Sequence, residues 1–243
     1  MTTKNTSLNL LKPVAFAVAA AVLLNGCIIH VGGPSSVSLD HTEQVLKLDG
    51  NNLQRLTADT GAGSLLIQGE AGRTEIEVVA QIYSRDDAEL NLTLEQQGDD
   101  ARLVADFDRG FSYGNSPYID LVVKVPAHFA LTLDDGSGDT TIQGLQGAMR
   151  IDDGSGDLAV DNGASLVLED GSGDVQISNI AGDVHIDDGS GDMKVSQIAG
   201  IVTIDDGSGD IRVEQSKGLT IHDDGSGELN INQINGPVNV AED

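Results

Sequence analysis

Cysteine occurs once in this chain, at Cys27, so no disulfide can form within it and the fold must hold without one. Tryptophan is absent, and aromatic residues make up 3% of the 243 positions. A large globular core usually recruits more aromatic area than that, whereas a thin core lined by leucine and β-branched side chains does not need it. Basic residues are also scarce: 13 Lys and Arg stand against 39 Asp and Glu, a formal charge of −26. A surface so acidic repels phosphate backbones and anionic lipid, which excludes nucleic acid as a partner. Long apolar runs are missing as well. The apolar stretch at 13–24 falls well short of the roughly 20 residues that a membrane-spanning helix needs.

What the chain has in abundance is glycine and aspartate, arranged in one recurring phrase. DDGSGD starts at Asp134, Asp152, Asp187 and Asp205, EDGSGD at Glu169 and DDGSGE at Asp223. These six starts are almost evenly spaced along the chain. A short fixed period of this kind means one structural unit stacked on copies of itself. Within a unit, apolar residues two apart place both side chains on one face of a strand, so each unit holds two short strands. The G-S-G phrase and a softer loop, such as that ending in Gly182, separate them.

Aligned unit by unit, four apolar columns emerge. The first is Thr140, Leu158, Val175, Met193, Ile211, Leu229, and the second Ile142, Val160, Ile177, Val195, Val213, Ile231. The third is Met149, Leu166, Val184, Val202, Thr220, Val238, and the fourth Ile151, Leu168, Ile186, Ile204, His222, Val240. Thr220 and His222 interrupt the last two, while Leu219 and Ile221 stand one residue earlier, which points to a local one-residue register shift. The expected fold is therefore all-β: a parallel β-solenoid (β-helix) of ~18-residue coils, two short strands each, with copies ~4.8 Å apart. Burying about four aliphatic side chains per coil contributes on the order of 6–12 kcal/mol of gross hydrophobic stabilisation. The regular part spans 134–243, and a less regular β region at 37–133 precedes it and caps it. Expected strands there are 44–48, 64–68, 74–83, 90–95, 101–107, 119–125 and 129–133.

The N-terminus reads as a targeting signal, 1–26. Lys4 and Lys12 supply the positive start, the apolar stretch follows, and Leu24-Asn25-Gly26-Cys27 resembles the bacterial lipobox. Cys27 is thus the expected lipidation site, where acylation of the thiol and of the new amine would anchor the chain in the membrane; several acyl chains hold far more firmly than one. Residues 27–36 would then be the lipidated cysteine and a flexible tether. By resemblance to other lipoproteins, Ile28 after the cysteine implies sorting to an outer membrane.

Asp59-Thr60-Gly61 looks at first like the DTG loop of aspartic proteases. No second DTG exists to supply the facing carboxylate, and 58–69 aligns with 134–144 as a degenerate first repeat ending in the same I-Q-G. With this repeat, the V-P-x-x-x-x-L-x-L segment at 125–133 and the iterated G-S-G-D coils, residues 40–240 resemble the bacterial "putative adhesin" family of uncharacterised β-strand-repeat domains. The resemblance implies the repeat architecture and offers no catalytic residues to carry over.

Three further features bear on function. The column Asp135, Asp153, Asp170, Asp188, Asp206 and Asp224 could hold calcium between coils, because hard cations take several carboxylate oxygens. The competing expectation is that these aspartates form and cap solvated turns. Repulsion of ~0.9 kcal/mol between neighbours in water is far below the burial per coil, and the spacing matches neither the calcium nonapeptide nor an EF-hand, so solvated turns and no cofactor are expected. The histidines (His30, His41, His128, His185, His222) lack zinc spacing, and no nucleophile–base pair is evident, so the chain reads as a non-enzyme. The aromatic segment 107–118 interrupts the repeat's monotony and is either a packed hairpin loop or a contact patch. Together these readings describe a lipid-anchored protein of the bacterial cell envelope, displaying an acidic surface to an unknown protein or glycan ligand, with calcium responsiveness as the alternative.

Overall fold

A computed structural model describes residues 39–85, 87–107 and 116–241. The fold is all-β: 18 strands and no helix among the described residues. The first seven strands are β1 Asp40–Asp49, β2 Arg55–Ala62, β3 Leu65–Glu70, β4 Glu75–Ser84, β5 Leu90–Gln97, β6 Asp100–Phe107 and β7 Tyr118–Pro126. The next seven are β8 Ala130–Ser137, β9 Thr140–Gln143, β10 Ala148–Asp153, β11 Leu158–Gly163, β12 Ser165–Asp170, β13 Val175–Ile180 and β14 Val184–Asp188. The last four are β15 Met193–Asp206, β16 Ile211–Asp223, β17 Leu229–Asn232 and β18 Val238–Val240.

Pairing follows the repeat. One series runs β8, β10, β12, β14 and the second half of β15, each parallel to the next. The other runs β9, β11, β13 and the first half of β15, also parallel. Both series continue through β16 to β17 and β18. Each residue lies opposite its copy one repeat away, as in Leu158 opposite Val175 and Ile151 opposite Leu168. Two-residue periodicity then turns Val175, Ile177, Val184 and Ile186 inward, where all are at most 1% exposed.

Three local departures have physical causes. The units starting at Met193 and Ile211 each form one continuous strand of 14 and 13 residues, where two short strands were expected. The softer loop bends at a left-handed residue in each unit from Asn162 on, at Asn162, Asn179, Gln197, Gln215 and Gln233. In the units of Gln197 and Gln215 pairing resumes directly beyond the bend, so a single strand spans it. The bend also turns a further residue inward, so Ile180 and Ile198 form a buried column that a strict period of two does not anticipate. At the unit of β16 the pairing slips by one: Val202 faces Leu219 and Ile204 faces Ile221, and register returns at Asp223. His222 is the extra residue of that bulge and points to solvent, while Leu219 and Ile221 take the inward positions.

The stack begins out of chain order. β2 pairs in parallel with both β6 and β8, and β3 with both β7 and β9, so β2 sits between β6 and β8 and β3 between β7 and β9. Beyond them β5 closes on β6, β4 on β7 and β1 on β4, all antiparallel. β4 buries Ile76, Val78, Ala80 and Ile82 in strict alternation, more regularly than its sequence suggests. β2 was not among the expected strands.

Candidate functional site

The D-D-G-S-G-D corner is the one feature repeated along the whole stack, and its three acidic positions have three different fates. The first, Asp134, Asp152, Glu169, Asp187 and Asp205, is exposed at every level. The third, Asp139, Asp157, Asp174, Asp192 and Asp210, is also exposed but is structurally engaged. Each of these carboxylates accepts the backbone N–H of its counterpart one repeat later: Asp157 to Asp139 at 3.3 Å, Asp174 to Asp157 at 3.1 Å, Asp192 to Asp174 at 3.1 Å. Asp210 to Asp192 at 3.0 Å and Glu228 to Asp210 at 2.7 Å complete the series. The corner amide would otherwise lack a partner, so the acid staples one repeat to the next.

The middle position is the unexpected one. Asp135, Asp153, Asp170, Asp188 and Asp206 are between 1% and 5% exposed, which overturns the expectation of solvated turns. The cause is the same alternation that makes the core: Asp153 follows Ile151 by two, and Asp170, Asp188 and Asp206 follow Leu168, Ile186 and Ile204 likewise. They stack in register, Asp135 beside Asp153, Asp153 beside Asp170, Asp170 beside Asp188 and Asp188 beside Asp206. Asp224, the sixth candidate, lies at the last corner and is half-buried. Only Asp135 is well supplied with donors: Thr60 Oγ1 at 2.6 Å and Thr140 Oγ1 at 2.9 Å. Asp188 accepts Ser190 N–H at 3.1 Å on one oxygen. Both oxygens of Asp153, Asp170 and Asp206 and the second of Asp188 are buried without a hydrogen-bond partner.

Desolvation by burial, reinforced by Asp135 and Asp170, pushes the Asp153 carboxyl up to about 7. Burial first and Asp188 second push Asp170 and Asp206 up to about 6. Asp135 and Asp188 are raised by burial too, offset in part by the Thr60 and Thr140 hydroxyls and by the Ser190 amide respectively. At an effective dielectric near 20, two charges ~4.8 Å apart repel by ~3.5 kcal/mol, roughly four times the value in water. That repulsion offsets a sizeable part of the roughly 6–12 kcal/mol of hydrophobic gain per repeat and adds to the cost of desolvating each carboxylate, so full ionisation of the column is strongly disfavoured. Among the described residues, no three Asp, Glu, His or Cys side chains converge so as to hold a metal ion.

Asp59-Thr60-Gly61 lies in register with Asp134-Asp135-Gly136, so the protease-like loop is a repeat corner whose Thr60 stands at the buried position. The second glycine of the corner is conformationally required: Gly173 has φ 141°, and a side chain there would strike the carbonyl of Gly156 one repeat away. His185 points outward, and His128 packs edge-on against Phe129 at 5.2 Å. Of the aromatic segment, 108–115 lie outside the described residues. Tyr118 at its end stacks on Tyr83 at 4.5 Å, and Tyr83 on His41 at 4.7 Å. Cys27, His30 and the signal and tether at 1–36 also lie outside them.

Residues 120–240, from β7 to the end of β18, match the family described as Toastrack DUF4097. The chain belongs to this family. The six acidic corners all fall within the Toastrack span, which carries the G-S-G-D pattern on which the sequence resemblance rested. No curated protein matches the chain. Among solved structures it is similar to a "putative cell adhesion protein" from Clostridium sporogenes, at 14% identity and TM-score 0.37, covering 82% of this chain and 98% of that one. A "putative adhesin" from Bacteroides fragilis is similar at 14% identity and TM-score 0.35, with 81% and 97% covered. A "putative lipid binding protein" from Parabacteroides distasonis is similar at 13% identity and TM-score 0.39, with 82% and 97% covered.

Sequence reasoning placed the acidic column correctly as a column but on the wrong side of the sheet. It also missed the staple formed by the last acid of each Toastrack corner and the two threonines at the column's end. The alignment of DTG with DDG contained the signal for Thr60, since it puts a hydroxyl where later repeats carry an acid.

Proposed function

We propose that the protein is a lipid-anchored, non-catalytic β-solenoid of the bacterial cell envelope that presents acidic rails to a protein or glycan ligand. The observation that carries this reading is the pair of exposed carboxylate columns flanking each corner, Asp134 to Asp205 and Asp139 to Asp210, held in register by the backbone. Parallel pairing of each strand with its copy in the next repeat supports the solenoid architecture. Leu24-Asn25-Gly26-Cys27 supports the anchor, with Cys27 as the acylated residue and an outer membrane as the destination. Regularly spaced charge acts at a distance and favours partners with basic or cation-carrying surfaces.

The test uses intact cells. Wild-type protein should fractionate with the membrane and incorporate labelled palmitate, and Cys27→Ser should abolish both. External protease should remove the wild-type protein, and replacing Asp152, Asp187 and Asp205 with Asn should weaken attachment of cells to a basic surface. Unchanged fractionation and labelling in Cys27→Ser would refute the anchor, and protection from external protease would refute surface display.

A further inference from the structure

Five aspartates in register inside an apolar stack are short of donors: the corner amides of Ser155, Ser172, Ser190 and Ser208 face Asp153, Asp170, Asp188 and Asp206, yet of these only Ser190 N–H completes a hydrogen bond. The inward positions immediately before the acidic ones along the chain are Ile151, Leu168, Ile186 and Ile204. Those immediately after the corner are Leu158, Val175, Met193 and Ile211. Neither set offers a hydrogen bond. The orphaned oxygens belong to consecutive levels, Asp153, Asp170, Asp188 and Asp206, so the groups nearest in register to each acid are other acids. A carboxylic acid has the O–H donor that a carboxylate lacks, and one proton placed between two such groups satisfies both.

We propose that the buried aspartate column is a proton-binding site, in which carboxylic acids donate to carboxylates in adjacent repeats so that the column is never fully ionised at neutral pH. The charged surroundings are all of one sign. Asp135 is faced by Asp134 and Asp153, Asp153 by Asp135, Asp152 and Asp170, Asp170 by Asp153 and Asp188, Asp188 by Asp170, Asp187 and Asp206, and Asp206 by Asp188, Asp223 and Asp224. No basic side chain is among the groups acting on them. Arg150 pairs instead with Glu169, and Arg212 with Glu214, on outward positions. Across the interior, β9, β11, β13 and the first halves of β15 and β16 present Thr140, Leu158, Val175, Met193 and Ile211, none of which titrates. The Thr60 and Thr140 hydroxyls end the column at Asp135, where they supply the donors that a further acid would otherwise have to supply. A calcium ion fits less well, because it takes six to eight oxygens and the flanking inward positions carry hydrocarbon.

The direction of the pH effect follows. Asp153, Asp170 and Asp206 titrate higher in the folded chain, at about 7, 6 and 6, than the ordinary 3.8 of an unfolded aspartate. Between about pH 4 and 7 the folded form therefore binds more protons, so its stability is greatest at the acid end and declines as pH rises through that window. This inference does not depend on the anchor or the ligand.

The full mature chain should show an infrared carboxylic-acid carbonyl band at pH 6 that vanishes on unfolding, with release of about two protons per chain. Its Tm should fall by roughly 10 °C between pH 4.5 and 7.5. Asp153→Asn with Asp170→Asn should remove most of the band and flatten the slope, because an amide supplies donors at any pH. Glu169→Gln with Asp205→Asn, on the exposed column, should leave the band intact. Absence of the band from folded wild-type protein at pH 6 would overturn the proposal whether or not the variants fold. So would a saturable rise in Tm with calcium, beyond matched magnesium, that the buried Asn pair abolishes.

Discussion

Asp152 and Asp153 are adjacent in sequence and opposite in environment, one exposed and the other 1% exposed. Strand geometry alone decides between them, since successive side chains point to opposite faces. The same contrast holds for Gln176, exposed, and Ile177, fully buried. Ile177→Asp places a carboxylate inside the stack without a donor and should cost several kcal/mol, whereas Gln176→Asp should be nearly silent. Urea unfolding of the two variants checks this, and equal losses would show the inward assignment to be wrong. The buried acids were legible in the sequence by this rule, because Asp153 continues the Met149, Ile151 series. Composition argued the other way, since aspartate beside glycine is the usual signature of a solvated turn. Here period outweighs composition, and the cost of burial appears as raised carboxyl pKa values.

At the level of single strands, most rungs are very short: β9 has four residues and β14 five. Strands of that length need help at their ends, and the last acid of each corner provides it by accepting the next repeat's amide. Asp174→Ala should remove the acceptor for Asp192 N–H and cost about 1 kcal/mol, while Asp174→Asn retains an acceptor oxygen. Hydrogen exchange at the Asp192 amide is the readout: faster in the alanine variant, near wild type in the asparagine variant. The paired strands of the regular repeat were readable because each copy repeats the same alternation. β2 was not, because Asp59-Thr60-Gly61-Ala62-Gly63 reads as a loop until its register with Asp134 is known. The shift around His222 was readable, since Leu219 and Ile221 show where the apolar positions moved.

Across the whole molecule, the regular repeats follow chain order and the first levels do not: β2 and β3 are interleaved between β6 and β7 on one side and β8 and β9 on the other. No local pattern encodes that interleaving, which depends on pairings between distant parts of the chain, such as Arg55 with both Asp100 and Ala130. Residues 140–240 form a single parallel stack with one residue column per repeat. Thr141, Ala159, Gln176, Lys194, Arg212 and Asn230 form such a column on an outward face, each opposite the next. The most direct measurement is pulsed electron paramagnetic resonance on cysteine pairs in a Cys27→Ser background, with labels at 141 and 194, 141 and 212, and 141 and 230. The stack predicts backbone separations of ~14, ~19 and ~24 Å, a constant step of ~4.8 Å per repeat. Separations that fail to rise by a constant step from pair to pair would contradict it.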